Sequence, residues 1–298
     1  MTKIVLLDGG LGQELVHRTT RPVTPLWMAQ MLMDEPELVE TVQREFVDAG
    51  AKVLTLAAYT TTPIRLARDA SENLFEPLQR TAADIAKRAT AGTDTKIGGC
   101  LPPLVASYKP ELAPSLDECT HNYERIVAMQ NDAVDLFQCE TLSSIVEIRA
   151  AVTAAAKTGK PVWCAMSVKD NDGTLLRSGE SVQDAANAAV ACGAAAVLIN
   201  CSSPEAIIQA LKILASCGVP FGAYANGFVS IDALQAGGTV AALKARTDLD
   251  PEAYATLALG WVEHGATLIG GCCEVGPSHI KTLAERLKQA GHTIVGEL

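Results

Sequence analysis

Short apolar runs, each bounded by Gly, Pro or polar turn residues, recur along the chain. They predict strands at 4–8, 53–58, 96–101, 136–141, 162–168, 195–201, 220–226 and 267–273. Between them, apolar positions return with the period of an amphipathic helix at 37–48, 74–91, 117–134, 144–158, 181–192, 204–216, 251–264 and 277–290. Ser203-Pro204-Glu205 and Gly276-Pro277-Ser278 carry helix-start chemistry, with proline in the first turn. Asp48-Ala49-Gly50-Ala51, Ala191-Cys192-Gly193-Ala194 and Glu263-His264-Gly265-Ala266 each end a helix on glycine and lead into a strand.

The strand runs are apolar without strict alternation, as in a parallel sheet covered on both faces. Eight strand–helix units predict an α/β fold, a closed (β/α)8 TIM barrel forming a single domain over residues 1–298. An open doubly wound sheet is the alternative. Segments 59–73, 102–116 and Gly227–Asp250 are expected to be long loops at the catalytic end of the barrel. No linker or second domain is visible.

Composition narrows the function. Hydrophobic residues make up 48% of the 298 and charged residues 19%, a globular composition. The formal charge is -10 and no Lys/Arg cluster stands out, so neither nucleic acid nor an anionic membrane is an expected partner. The run Ile4–Leu7 is too short for a signal sequence, and the Ala-rich stretch 185–201 is broken by Asn187, Gly193 and Asn200, so a cytoplasmic location is expected. Nine cysteines, an odd number, argue against a disulfide framework in that compartment.

In a barrel the C-terminal strand ends share one rim. Asp8, Glu140, Cys201, Asn226 and the pair Cys272-Cys273 all fall there. Three cysteines from two strand ends make a soft donor set suited to Zn²⁺ with one position left open, the pattern of a catalytic rather than a structural site. The plainer reading is that they are buried thiols. Cys100, Cys139 and Cys164 read as barrel packing, and Cys119, Cys192 and Cys217 as helix residues.

Asp8, in Leu7-Asp8-Gly9-Gly10-Leu11-Gly12, either binds a ligand ammonium or caps a turn; without a Lys-Ser/Thr pair this is no phosphate loop. Glu140 needs a partner, either a substrate amino group or an internal Arg. Asn200 and Asn226 are pocket amides or satisfy loop backbone. The histidines (His17, His121, His264, His279, His292) form no metal-ligand pair, and no Ser-His-Asp or G-x-S-x-G arrangement is present.

Taken in order, Asp8-Gly9-Gly10, Asn200-Cys201 and Gly270-Gly271-Cys272-Cys273 resemble the homocysteine S-methyltransferase family, from Leu7 to about Leu287. The resemblance implies Zn²⁺ held by Cys201, Cys272 and Cys273. It implies that Asp8 and Glu140 bind the homocysteine ammonium, with Gly9 and Gly10 lining that pocket, and that Trp27 of Pro25-Leu26-Trp27 contacts substrate or donor; Asn200 is counted with the substrate-binding residues. Two segments depart from the family pattern, Ala57-Ala58-Tyr59-Thr60 and Gly99-Cys100-Leu101-Pro102-Pro103, and both fall where the donor would lie. Without folate or cobalamin modules, and without the C-terminal extension of the betaine enzymes, the expected donor is S-methylmethionine or S-adenosylmethionine, and the product methionine. Betaine or another methylated onium donor, a different thiol or a selenol acceptor, and a non-enzymatic zinc-storing or redox-sensing barrel are the alternatives. The expected partners are small molecules, with the chain a monomer or homodimer.

Overall fold

The computed structural model of the chain describes residues 2–297, so residues 1 and 298 of the expected domain range lie outside the described residues. Its strands are β1 (Lys3–Leu6), β2 (Val53–Thr55), β3 (Lys96–Leu101), β4 (Leu136–Leu142), β5 (Val162–Met166), β6 (Val168–Lys169), β7 (Asp172–Leu176), β8 (Ala196–Asn200), β9 (Phe221–Tyr224), β10 (Leu268–Ile269) and β11 (Thr293–Val295). Nine of them form one sheet in the order β11-β1-β10-β9-β8-β5-β4-β3-β2, and every pairing in it is parallel. The ring closes between β1 and β2: the Lys52 amide donates to the Leu6 carbonyl (2.8 Å) and the Asp8 amide to the Val53 carbonyl (3.1 Å). Closure excludes the open doubly wound alternative.

Helices are α1 (Leu11–Arg18), α2 (Met28–Asp34), α3 (Pro36–Asp48), α4 (Pro63–Asp69), α5 (Phe75–Thr90), α6 (Leu116–Gln130), α7 (Ile145–Ala156), α8 (Val182–Ala191), α9 (Pro204–Leu214), α10 (Pro251–Glu263) and α11 (Pro277–Gln289). All eight expected helices are present, and Gly50, Gly193 and Gly265 take the left-handed conformation that ends them. Among the described residues, no helix is long and apolar enough to cross a membrane.

Four details differ from the sequence reading. Segment 59–73 is not all loop, because Thr62 caps α4 by accepting a hydrogen bond from the Arg65 amide. The fifth strand stops at Met166, and the chain then makes the antiparallel hairpin β6–β7. The last barrel strand is only Leu268–Ile269, because Gly270 and Gly271 leave the ladder. The end of the chain adds β11, which pairs with β1 on the edge facing β2 and sets Val295 against the inner core.

Inside the ring, side chains alternate with the pleat. The interior cluster comprises Val5, Val53, Leu136, Trp163, Ala196 and Leu268, with Leu7, Ala165, Leu198 and Tyr224 above them. On β4 the inward series continues upward through Gln138 to Glu140. The interior therefore passes from apolar to ionisable along the barrel axis. Polar chemistry collects at one end only.

Candidate active site at the barrel mouth

Cys201 follows β8 directly, and Cys272 and Cys273 follow the glycines after β10. Two adjacent residues of a regular strand face opposite ways, so the second pair must leave the strand to converge. It does. The Val275 amide donates to the Cys272 carbonyl (3.1 Å), closing a turn in which Glu274 has φ +65. Cys201 also holds a left-handed backbone, φ +46, and its carbonyl accepts from Ser167 Oγ and Arg177 Nη2, both at 3.2 Å. The three Sγ atoms lie within 4.8 Å of one another.

Cys201 and Cys272 are joined by a disulfide, with Cα atoms 5.7 Å apart, and Cys273 is free. The sequence reading, which argued against disulfides, did not anticipate this bond. Thiols gathered this closely either share an ion or pair with one another, and pairing removes two thiolates. The reduced set fits zinc: tetrahedral sulfurs at about 2.3 Å from the ion stand roughly 3.8 Å apart. No His, Asp or Glu among the described residues joins the group, so one position stays free for a ligand from outside. Burial pushes the Cys273 thiol up to about 12, with Glu274 adding to the rise, so by itself it is protonated at neutral pH.

Asp8 is fixed by Thr55, whose amide and hydroxyl donate to its two oxygens at 2.8 and 3.0 Å; Gln138 Nε2 in turn donates to the Thr55 hydroxyl (2.7 Å). Glu140 sits where the β4–β5 register shifts between Cys139 and Leu142, with Thr141 at φ +61. Such a bulge re-aims a side chain, and here Glu140 lines the cavity. The Cys100 thiol donates to its carboxylate (3.0 Å), so Cys100 is more than barrel packing. Burial raises both carboxyl groups to about 7, and the charge of Asp8 pushes Glu140 further in that direction. The cavity lining contains no Lys, Arg or His. Two recessed acids thus wait for a cation that the chain itself does not supply.

The cavity has about 100 Å³ of free volume. At roughly 10–15 Å³ per water-sized occupant, that suits a molecule of amino-acid size. Gly9 and Gly10 line it, and a side chain at Gly10 would run into the Cys272 carbonyl and stand 2.9 Å from Cys273 Cα. The glycine is what allows the cysteine turn to lie beside Asp8. Trp27 forms one wall, its indole N–H donating to the Gly12 carbonyl (3.2 Å) and its ring meeting Tyr59 edge-on at 6.0 Å. A Cβ at Gly12 would occupy the space of that indole. The roof is the segment after Asn226, which contributes Phe228, Leu234, Val240 and Leu243.

With this geometry in place, comparison with known proteins is decisive. The sequence model described as "Homocysteine S-methyltransferase" matches residues 5–287. The chain belongs to the homocysteine S-methyltransferase family. It is 30% identical to the homocysteine S-methyltransferase of Escherichia coli, with 95% of each chain covered. It is 26% identical to the selenocysteine methyltransferase of Astragalus bisulcatus, covering 94% of this chain and 91% of that one. Among solved structures, the homocysteine methyltransferase MmuM from E. coli in its metallated form superposes with a TM-score of 0.77 at 26% identity, over 95% of this chain and 96% of that one.

Methyltransferase activity in the homocysteine S-methyltransferase family accounts for a mouth built of thiols and carboxylates, but not every expected residue reaches it. Asn200 is fully buried and does not line the cavity. Its Oδ1 accepts from the Thr141 amide (2.8 Å) and its Nδ2 donates to the Thr141 hydroxyl (2.9 Å), so its amide props the Glu140–Thr141 bulge. Asn226 likewise serves backbone, accepting from the Phe228 amide (3.1 Å). Thr55, Gln138 and Cys100 were missed as site residues. For Gln138 a signal existed: it stands two residues before Glu140 on a strand whose side chains alternate.

Proposed function

We propose that the chain transfers a methyl group from a cationic donor, S-methylmethionine or S-adenosylmethionine, to the thiol of homocysteine, giving methionine. Cys201, Cys272 and Cys273 hold Zn²⁺ in this reading. The observation that carries it is a three-thiol set and two recessed, cation-free carboxylates sharing one cavity of amino-acid size. An amino thiol has the matching groups.

When bound, zinc supplies a Lewis-acidic position at which a thiol is deprotonated at neutral pH. The chain's own residues do the rest. Asp8 and Glu140 take the acceptor ammonium, and the chain at Gly9 and Gly10 lies close against it. Thr55 and Cys100 fix the two carboxylates, and Asn200 steadies the bulge that aims Glu140. Trp27 and Tyr59 offer aromatic faces to the onium centre, worth about 0.5–2 kcal/mol. Phe228, Leu234 and Val240 keep water from the reactants, and holding both in one orientation lowers the barrier further.

The same cavity would admit betaine or another methylated onium donor, and a selenol acceptor is supported by the likeness to the Astragalus enzyme. The Cys201–Cys272 bond favours a second reading, a zinc-storing or redox-sensing barrel. We read the chain as a single-domain, cytoplasmic enzyme of small molecules, monomeric or homodimeric. Reduced, zinc-loaded protein incubated with homocysteine and a donor panel should form methionine with a sulfonium donor. Zinc-bound protein that forms none with any donor would leave only the storage or sensing reading.

A further inference from the structure

Arg65, on α4, is 8% exposed, and no carboxylate pairs with it among the described residues. Its Nε and Nη2 donate to the Pro103 carbonyl at 3.2 and 3.0 Å, and Nη2 also reaches Ser107 Oγ at 3.5 Å. The guanidinium lies 5.5 Å from the centre of the Tyr59 ring. Among the described residues, none accepts a hydrogen bond from Nη1. Asp69 and Glu147 act on it through space without forming an ion pair, and a recessed cation compensated so weakly is expensive. Its neighbour Arg68 shows the ordinary solution, pairing with Asp69 at 2.7 Å.

Arg65 lines a side cavity that shares Trp27, Ser107, Leu234 and Val240 with the reaction cavity. It shares none of Asp8, Glu140 or the three cysteines. An acceptor anchored by its thiol and ammonium therefore lies away from Arg65. A donor whose onium centre rests on Trp27 meets the side cavity at that residue, since Trp27 lines both.

We propose that Arg65 binds the carboxylate of the methyl donor, making the enzyme selective for zwitterionic onium donors over simple cations. This rests on the methyl-transfer reading above. The free Nη1 edge is the docking edge, and a carboxylate there neutralises the buried charge. The same guanidinium beside Tyr59 repels a bare cation such as trimethylsulfonium, so one residue both attracts the right donor and discourages the wrong one.

The test compares S-methylmethionine with its decarboxylated analogue in the wild type, Arg65→Met and Arg65→Lys. A charged hydrogen bond contributes about 1.5–3 kcal/mol, so in Arg65→Met the kcat/KM preference for the carboxylate-bearing donor should fall about ten- to a hundredfold. Arg65→Lys, which keeps the charge but not the fork, should retain part of the preference, and it stands in if the Met variant does not fold. Homocysteine against its decarboxylated analogue should show no such change. Calorimetric binding of S-methylmethionine, read without turnover, should weaken by the same factor. An unchanged donor preference, or a loss confined to the acceptor pair, overturns the assignment. Wild-type protein that binds the donor through Arg65 but transfers no methyl group refutes the methyl-transfer reading alone.

Discussion

Along β4 the inward residues run Leu136, Gln138, Glu140, so one strand passes from the floor of the barrel to its mouth. At the floor, Leu136 packs with Val5, Val53, Trp163 and Leu268 in a wholly apolar layer. At the mouth, two carboxylates are displaced towards neutrality, and three thiols crowd together. Backbone strain follows the same division. Among the described residues, the non-glycine residues with positive φ are Trp27, Tyr108, Thr141, Cys201 and Glu274, and each lines the cavity or adjoins a residue that does. Each such conformation costs about 1–3 kcal/mol, which the packed floor and helical jacket must offset. The comparison teaches that stability is made at one end and spent at the other.

Replacing Cys272 with Ser attacks the mouth hardest. Zinc content, read by metal analysis, should fall from one ion per chain to none, and methyl transfer should drop by at least ~10³-fold. Full zinc and full turnover in that variant would remove the ligand assignment. At the floor, Leu136→Ala should lower unfolding free energy by about 2–5 kcal/mol in denaturant titration while leaving KM for homocysteine alone. A large change in KM with little loss of stability would erase the division between the ends.

Smaller changes sharpen it. Glu140→Gln keeps the shape of the mouth but removes one charge, and homocysteine affinity by calorimetry should weaken about ten- to a hundredfold. The pH dependence has a definite sign. An ammonium ligand needs ionised carboxylates, whose free-state values are raised to about 7. For methionine, which carries the ammonium but no titrating thiol, affinity should therefore level off above that pH and fall below it by about tenfold per pH unit for each proton that must leave. An affinity that is flat from pH 6 to 8 would contradict those raised values.

The strands, the eight main helices and the convergence of Cys201, Cys272 and Cys273 were legible because apolar runs, glycine stops and strand-end positions are local signals. What escaped depended on distant partners. Asn200 looked like a pocket amide because it precedes Cys201, yet Thr141, 59 residues away, takes up its amide. Thr55 carries no chemical label of its own and matters through Asp8. The hairpin β6–β7 was hidden in an apolar run that continued past Met166. The approach of Cys201 to Cys272 was legible, but not the bond between them, because the sequence reading assigned the converging thiols to an ion in a reducing compartment.

The seam between β1 and β2 has one further consequence. Strand β1 leaves the ribosome more than 250 residues before two of its neighbours in the ring, β10 at Leu268–Ile269 and β11 at Thr293–Val295. During synthesis one edge of β1 can meet β2 early, at Lys52 and Val53, while the edge that takes β10 stays open until residues 268–269 have emerged. Such late long-range closure slows folding and leaves pairing edges exposed to other nascent chains. The segment around Val295 joins β1 beside the seam, so of the described strands it is the last to cover an edge that the ring leaves open.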